Sequence, residues 1–310
     1  MTARNKIRNS DHLFDLSFNA GFGKASAPAT CGELIQGFIY GQDFLINSPI
    51  DLYSAIRVLL TEDSEVKVST PGNFSKVAAV VRQTLDHLGA TSLGAKVFVD
   101  SMIPRGKGMA SSTSELTSAI YATANACSAA IEPHEVMTII LNVDKSSDSV
   151  FLPGINRCNH LTGDVLEEFG HPPPLAFLIV DCGGEVETIG FNRAHARMVA
   201  KNNSDRLEQA LLLLRQGFRR KNANLIALAS TMSAEINQKV LYKAELSDLV
   251  EGTKEFGGLG VNCAHTGTVL GVMFDPNKTS EVELRNRVAF LVGQERILSV
   301  HSLIAGGILR

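Results

Sequence analysis

Short, mostly apolar runs separated by polar turns occupy the first third of the chain, and runs of this length are typical of β-strands. Turns of polar residues and glycine separate these runs, which cover residues 34–40, 44–46, 55–60 and 65–69. A further strand is predicted at 95–100, directly before a loop that begins at Pro104. Residues 1 to about 24 are polar and weakly patterned, and they are predicted to form an extension ahead of the folded unit.

Several longer segments follow a 3.6-residue period instead, which predicts helices. The helix predicted over 74–88 has one apolar side, formed by Val77, Val80, Val81, Leu85 and Leu88. Other helices are predicted at about 112–129, 133–141, 192–200, 204–217, 222–237, 246–255 and 280–292. Strands are predicted in the second half at 175–181, 268–274 and 300–304.

The triple proline at 172–174 is the strongest candidate for a domain boundary, because consecutive prolines enter neither a helix nor a central strand. We therefore predict an extension at 1–24, an N-terminal domain at 25–171 and a C-terminal domain at 172–310. Strands and helices mix in both halves without regular alternation, which indicates two α+β domains. An active site between two such domains is expected.

Composition narrows the function classes. The 310 residues are 45% hydrophobic and 20% charged, as in globular proteins. A net charge of −3 gives no basic field, so we expect no nucleic-acid partner. No apolar run is long enough for a membrane helix, and no signal peptide is evident at the N-terminus. The five cysteines are scattered without a Cys-x-x-Cys pair, which favours reduced thiols, no zinc site and a cytoplasmic protein. The oligomeric state stays open.

The loop at 104–114 carries the candidate chemistry. Gly106, Gly108 and Ala110 lack bulk, so a ligand can approach the backbone, and three consecutive hydroxyl residues precede a predicted helix. A helix N-terminus with a nearby lysine suits a phosphate. The alternative is a glycine-rich turn with a serine cap. The predicted cofactor-binding residues are Pro104, Arg105, Gly106, Lys107, Gly108, Met109, Ala110, Ser111, Ser112, Thr113 and Ser114.

Phosphoryl transfer also needs a divalent cation and a group that orients the attacking hydroxyl. Lys107 is the predicted catalytic cation of the loop. Magnesium prefers a few hard oxygen ligands, and we predict Ser112 and Asp144 as its ligands, with the carboxylates of Glu33 and Glu115 as alternatives. Asp148 is the predicted catalytic residue that faces the substrate hydroxyl. Its alternative role is to cap a turn in a loop rich in serine and aspartate.

The loop resembles the second motif of the GHMP kinases, Pro-x-x-x-Gly-Leu-Gly-Ser-Ser-Ala. Pro104, Gly108, Ser111 and Ser112 match it, while methionine and alanine replace the leucine and the second glycine. The segments 28–37 and 103–113 are similar to the L-threonine kinase branch of this superfamily. The segments 144–150 and 263–268 also resemble branch motifs, although Asp144, Ser146 and Ser147 stand where glutamate, proline and threonine are usual.

This resemblance implies a two-domain α+β GHMP kinase fold, with an N-terminal domain like ribosomal protein S5 and a ferredoxin-like C-terminal domain. It implies ATP and Mg²⁺ as cofactors and direct transfer to the side-chain hydroxyl of L-threonine, giving L-threonine O-3-phosphate for cobalamin biosynthesis. Alternatives are a GHMP kinase for serine, homoserine or a hydroxy acid, and a non-catalytic sensor. The substrate-binding residues predicted on this basis are Cys31, Gly32, Glu33, His265 and Thr266.

Overall fold

The computed structural model describes residues 21–186 and 191–310. The strands are β1 (Phe22–Ile39), β2 (Gln42–Thr61), β3 (Val66–Val68), β4 (Gly94–Ser101), β5 (Ile155–Cys158), β6 (Val165–Gly170), β7 (Ala176–Asp181), β8 (Gly260–Cys263), β9 (Val269–Phe274) and β10 (Ile297–Ser302). The helices are α1 (Ser75–His87), α2 (Ser111–Ala126), α3 (Pro133–Val143), α4 (Arg193–Asn202), α5 (Ser204–Arg220), α6 (Ala223–Asn237), α7 (Glu245–Phe256) and α8 (Glu281–Val292).

A long antiparallel hairpin of β1 and β2 forms the centre of the fold. Its register runs from Phe22 opposite Leu59 to Ile39 opposite Gln42. The chain reverses at Tyr40 and Gly41, which both have positive φ, as a tight hairpin turn requires. Bulges interrupt the pairing between residues 28 and 35, and they bend β1 where it approaches the second half of the chain.

The strands join one mixed sheet in the order β10-β7-β9-β8-β1-β2-β4-β3, and β5 and β6 extend it from β2. The sheet passes from one half of the chain to the other through a single pair, Glu33 opposite Cys263. The C-terminal residues return to the first half, because Leu309 bridges to Ser26 and Leu303 bridges to Ile50. The division at 171/172 remains a prediction; the first strand begins at Phe22, slightly before the predicted start at 25.

Two groups of helices meet at β1. The helices α1, α2 and α3 pack together with β1, β2 and β4, whereas α4, α5 and α6 pack against β1 from the other half. Helix α2 is buried along nearly its whole length, since alanine, serine and threonine allow neighbouring backbones to approach closely. The buried part begins at Thr113, whereas Ser111 and Ser112 at the N-terminus of the helix remain accessible to solvent.

The predicted α+β character is confirmed, and each predicted helix corresponds to a helix of the structure. Three strands were not predicted: β5, β6 and β8. The strands β5 and β8 are four residues long and buried throughout, so they lack the alternation that indicates a strand. In the part of the chain that the structure describes, no helix combines the length and apolarity needed to cross a membrane.

Candidate active site

The loop between β4 and α2 adopts a backbone that favours glycine. Gly106, Gly108 and Ala110 all have left-handed φ angles, of 71°, 80° and 59°. A Cβ atom on Gly108 would lie 2.4 Å from the Cβ of Ala264, so this position also requires glycine for close packing. The first hydrogen bond of α2 runs from the Ser114 N–H to the Ala110 carbonyl. The N–H groups that precede it have no helical partner and can donate to an anion.

Two cavities adjoin this helix N-terminus. The larger has a volume of about 720 Å³ and lies between the loop, β1, the segment after α3, and α4. The smaller has about 270 Å³ and lies on the side of α1. Ser111 and Ser112 line both cavities. A ligand whose phosphates bind at this helix can therefore extend into both.

Eight of the eleven predicted cofactor-binding residues line at least one of the two cavities. The larger cavity is lined by Gly106, Gly108, Met109, Ala110, Ser111, Ser112 and Thr113. Arg105 lines the smaller cavity, together with the two serines. Pro104, Lys107 and Ser114 line neither; Ser114 is buried and donates to the Pro28 carbonyl at 2.7 Å.

Asp148 faces the larger cavity with a fixed orientation. One carboxylate oxygen accepts from the Asn47 amide at 2.8 Å and the other from the Thr113 hydroxyl at 3.2 Å. Burial raises the pKa of Asp148 to about 6, and the negative charge of Glu33 adds to this effect, while the two hydrogen bonds oppose it. A carboxylate held in this way is ionised at neutral pH and can accept a hydrogen bond from a substrate hydroxyl.

Ser112 and Asp144, the predicted metal ligands, contact each other. The Ser112 hydroxyl donates to Asp144 Oδ2 at 3.3 Å, and the Lys76 ammonium contacts the same oxygen at 2.6 Å. These hard oxygens fit magnesium, and the ammonium already occupies a cation position beside them. The described residues contain no group of three or more histidine, cysteine, aspartate or glutamate side chains arranged around a metal position. Magnesium would consequently take its other ligands from phosphates and water, as it commonly does.

Glu115, one of the two alternative metal ligands, is paired with an arginine. Arg105 donates to both carboxylate oxygens of Glu115, at 3.0 and 2.8 Å, and the Arg105 guanidinium also stacks on Phe74. Burial raises the pKa of Glu115 in spite of this ion pair. The pair fixes the wall of the smaller cavity.

Lys107, the predicted catalytic cation, is engaged in contacts with the second half of the chain, and its catalytic role stays a prediction. Its ammonium pairs with Asp181 at 2.7 Å and donates to the Gly184 carbonyl at 2.6 Å, so it points away from the larger cavity. Burial opposes ionisation of Asp181, but hydrogen bonds from Lys107 and Thr268 hold its pKa below the usual value. The Lys107 carbonyl also accepts from the N–H of Thr268. Lys107 thus ties the loop to the second half of the chain.

Glu33, His265 and Thr266, three of the predicted substrate-binding residues, line the larger cavity. Glu33 accepts from the N–H of His265 at 2.8 Å and from its Nδ1 at 3.0 Å, and His265 Nε2 lies 3.0 Å from the Ser233 hydroxyl. Burial alone would lower the pKa of His265, but the neighbouring Cys263 and Glu33 side chains raise it to about 10. The contact with the Glu33 carboxylate therefore favours the protonated form of the imidazole.

Cys31 and Gly32, also predicted as substrate-binding residues, do not line the larger cavity, and their role in binding stays a prediction. Cys31 is fully buried beside Asn262, and burial raises the pKa of its thiol. A Cβ atom on Gly32 would lie 2.5 Å from the Cys263 carbonyl oxygen. Both residues pack β1 against β8.

The far end of the larger cavity is basic and was not predicted from the sequence. Arg193, in the first turn of α4, donates to the Ser146 hydroxyl at 3.1 Å, two residues from Asp148. Arg197 pairs with Asp43 and stacks on Phe38. This end combines apolar surface with a guanidinium next to the segment that contains Asp148.

A neutral histidine lines that end, and a buried amide supports Asp148 from behind the cavity wall. Burial lowers the pKa of His160 to about 4, so its imidazole is uncharged at neutral pH. The Asn47 amide that fixes Asp148 also accepts from the Ser149 N–H at 2.8 Å. The polar sequence around Asn47 gave no signal of this role, since its partners lie about a hundred residues further along the chain.

Part of the chain matches a known protein family, and most of it is similar to two known enzymes. Residues 74–151 match the family described as GHMP kinases N terminal domain. The chain is 29% identical to the L-threonine kinase of Salmonella typhimurium over 272 residues, which cover 86% of this chain and 87% of the relative. It is 26% identical to the L-threonine kinase of Citrobacter freundii over 254 residues, or 82% and 87% of the two chains.

The fold is similar to the crystal structure of homoserine kinase from Cytophaga hutchinsonii. The TM-score is 0.73 at 15% identity, with 94% of this chain and 98% of the other covered. The predicted α+β GHMP kinase fold is thereby confirmed. The chain therefore contains a segment that matches the GHMP kinase N-terminal domain, is similar over most of its length to two L-threonine kinases, and has the fold of a homoserine kinase.

Proposed function

We propose that this kinase transfers the γ-phosphoryl group of ATP to the side-chain hydroxyl of L-threonine, giving ADP and L-threonine O-3-phosphate. The observation that carries the proposal is the position of Asp148 in one cavity, between the N-terminus of α2 and the Arg193 guanidinium. The similarity to two L-threonine kinases supports the choice of acceptor. A cytoplasmic location and a role in cobalamin biosynthesis, both expected from the sequence, belong to the same proposal.

The nucleotide spans the two cavities in this proposal. Its phosphates accept from the free N–H groups at the start of α2 and from the hydroxyls of Ser111 and Ser112. Its base lies in the smaller cavity, next to Phe74 and Leu116. Both cavities share the two serines, so one ligand can fill both.

Ser112 and Asp144 are the residues that would hold magnesium, since their oxygens converge beside the phosphate site. When bound, the metal neutralises charge that develops on the transferring phosphoryl group. The protein's own contribution is to keep these two oxygens fixed. The Asp144 carboxylate achieves this by accepting from the N–H of Lys145 at 2.9 Å.

Asp148 orients the acceptor. Its carboxylate accepts a hydrogen bond from the threonine hydroxyl and takes the proton as the bond from oxygen to the γ-phosphorus forms and the bond from that phosphorus to ADP breaks. Asn47 and Thr113 hold the carboxylate, so little freedom is lost in the reacting complex. Asp148 contributes more through this positioning than through its modest basicity.

Arg193 recognises the α-carboxylate of the amino acid. A guanidinium pairs with a carboxylate through two parallel hydrogen bonds, which is stronger and more directional than an ammonium contact. The carboxylate and hydroxyl of threonine are only three carbon atoms apart along the molecule. The Arg193 guanidinium bonds Ser146, two residues before Asp148, so it is close enough to hold the carboxylate while Asp148 contacts the hydroxyl.

The decisive experiment is a coupled assay of ADP release with L-threonine, L-allo-threonine, L-serine, L-homoserine and L-threoninol, with the phosphorylated product identified by mass spectrometry. We expect the highest kcat/KM for L-threonine. A clear preference for homoserine would leave the kinase assignment standing and refute only the acceptor. Nucleotide binding without turnover of any acceptor would instead support the sensor alternative.

A further inference from the structure

The position of Lys76 near the start of a helix is unfavourable for a positive charge unless an anion lies nearby. It is the second residue of α1, where the helix dipole disfavours a positive charge, and no acidic residue stands in that first turn. The side chain is 44% exposed, and its ammonium lies 2.6 Å from Asp144 Oδ2. The helix therefore presents a cation to the carboxylate that we propose as a metal ligand.

The other cations near the start of α2 are committed elsewhere. Arg105 is bound by both oxygens of Glu115, and Lys107 by Asp181. Within the described residues that line the smaller cavity, Lys76 is the remaining cationic side chain. Its partner oxygen also accepts from Ser112, which lines both cavities. The ammonium thus lies beside the expected path of the phosphates.

We propose that Lys76 binds the nucleotide phosphates and exchanges partners when the metal arrives. In the free protein its ammonium neutralises Asp144. A divalent cation and an ammonium repel each other on one carboxylate oxygen, so metal binding displaces Lys76 toward the adjacent phosphate oxygens. This inference rests on the proposed function, because it needs a nucleotide at the start of α2.

Partner exchange predicts two effects of opposite sign. Removal of the ammonium deprives the phosphates of a charged donor, so metal-nucleotide binding weakens. The same removal frees Asp144 from its competing cation, so binding of the bare metal strengthens. A lysine that only held α1 against the end of α3 would not weaken nucleotide binding and strengthen metal binding at the same time.

The test compares wild type with Lys76→Met, Lys76→Arg and the control Lys67→Met, whose lysine pairs with Glu65 on the exposed surface of β3. ADP binding in excess Mg²⁺ is measured by calorimetry, and Mn²⁺ binding without nucleotide by electron paramagnetic resonance. We expect about 10-fold weaker ADP binding in Lys76→Met, the loss typical of one charge-assisted hydrogen bond, and several-fold tighter Mn²⁺ binding. Lys76→Arg should restore most of the ADP affinity, and Lys67→Met should match wild type.

A second variant tests the exchange from the other side. Asp144→Asn releases Lys76 without metal, so ADP in the presence of EDTA should bind more tightly than to wild type. This variant carries the test if Lys76→Met does not fold. Unchanged or weaker metal-free binding in Asp144→Asn, or unchanged ADP affinity in a folded Lys76→Met, overturns the role of Lys76. Failure of the wild type itself to bind ADP would instead refute the proposed function.

Discussion

The carboxylate of Glu33 accepts two hydrogen bonds from His265, one from its backbone N–H at 2.8 Å and one from Nδ1 at 3.0 Å. Both residues are buried, and they belong to opposite halves of the chain. Glu33 also pairs with Cys263 at the only register position that joins β1 to β8 in the described sheet. This ion pair is therefore a principal electrostatic contact across the site.

Because of this pair, we expect the free energy of unfolding to decrease as the pH becomes alkaline. A histidine whose pKa is raised on folding stabilises the protein fully below its unfolded pKa of about 6.5, and this stabilisation is lost as the pH rises through the folded value. For His265 the folded value is about 10. We expect the free energy of unfolding in urea to fall between about pH 7 and pH 10, and to fall less in His265→Gln.

His87→Gln is the matched control, because His87 also contacts a carboxylate, that of Glu135, but on the exposed surface. It should keep the pH slope of the wild type. Equal slopes in wild type and His265→Gln would mean that His265 is not the titrating group.

Ser112→Ala tests the start of α2. The variant lacks one fixed oxygen beside the transferred phosphoryl group, and kcat should fall about 10²-fold, as for removal of one preorganised contact. Steady-state ADP release at saturating threonine gives the value. Thr138→Ala, which removes an exposed hydroxyl from α3, should leave kcat unchanged. Full activity and unaltered Mg²⁺ dependence in Ser112→Ala would contradict the assignment.

Asp148→Asn tests the orienting carboxylate. We expect kcat to fall by about 10²–10⁴-fold, the range of general acid–base contributions, with nearly unchanged ADP affinity. In the wild type, kcat should decline as the pH falls through about 6, because the protonated carboxyl no longer accepts the hydroxyl proton. Asp100→Asn, on the exposed side of β4, is the control. A flat profile between pH 5 and pH 8 would exclude this role.

Arg193→Ala tests recognition of the acceptor carboxylate. The KM for L-threonine should rise about 10–100-fold, the loss expected for a charged hydrogen bond, while ADP affinity stays constant. L-Threoninol lacks the carboxylate, so its kcat/KM should be the same in both enzymes. Arg287→Ala, on the exposed surface of α8, serves as the control. An equal loss for both acceptors would indicate a structural role for Arg193.

Ala110→Gly tests the strain in the loop. Alanine in a left-handed conformation destabilises the folded protein by about 1–2 kcal/mol, and glycine relieves this strain. Glycine also has more freedom in the unfolded chain, which offsets part of the stabilisation. We expect the free energy of unfolding to rise by about 0.5–1 kcal/mol, with activity retained. Ala78→Gly, inside α1, should lower it by about 1 kcal/mol, since glycine weakens a helix interior. Destabilisation by Ala110→Gly would show that the alanine methyl packs favourably.

The position of a residue could be predicted from the sequence where it depends on local structure. Ser112 and Asp148 follow from a small-residue loop before a helix and from an acidic turn, and both line the larger cavity. Their exact roles stay predictions. Local sequence also predicted the helices, since a 3.6-residue period reflects which side of each helix is buried.

Contacts between distant segments could not be predicted in this way. The direction of Lys107 depends on Asp181 at the end of β7, and the sequence of the loop alone contains no information about that partner. Lys76 and Asp144 are 68 residues apart, and they meet only because α1 packs beside α3. Arg193 reaches Ser146 from α4 in the same manner.

The two ends of the larger cavity differ in how their residues are distributed along the chain. Every group that we assign to the phosphates or to the hydroxyl lies within 74–151, the segment that matches the family domain. The acceptor end instead draws on β1, His160, α4 and α6. Single substitutions outside that segment can therefore change the acceptor end without altering the groups that we assign to the phosphates and the hydroxyl.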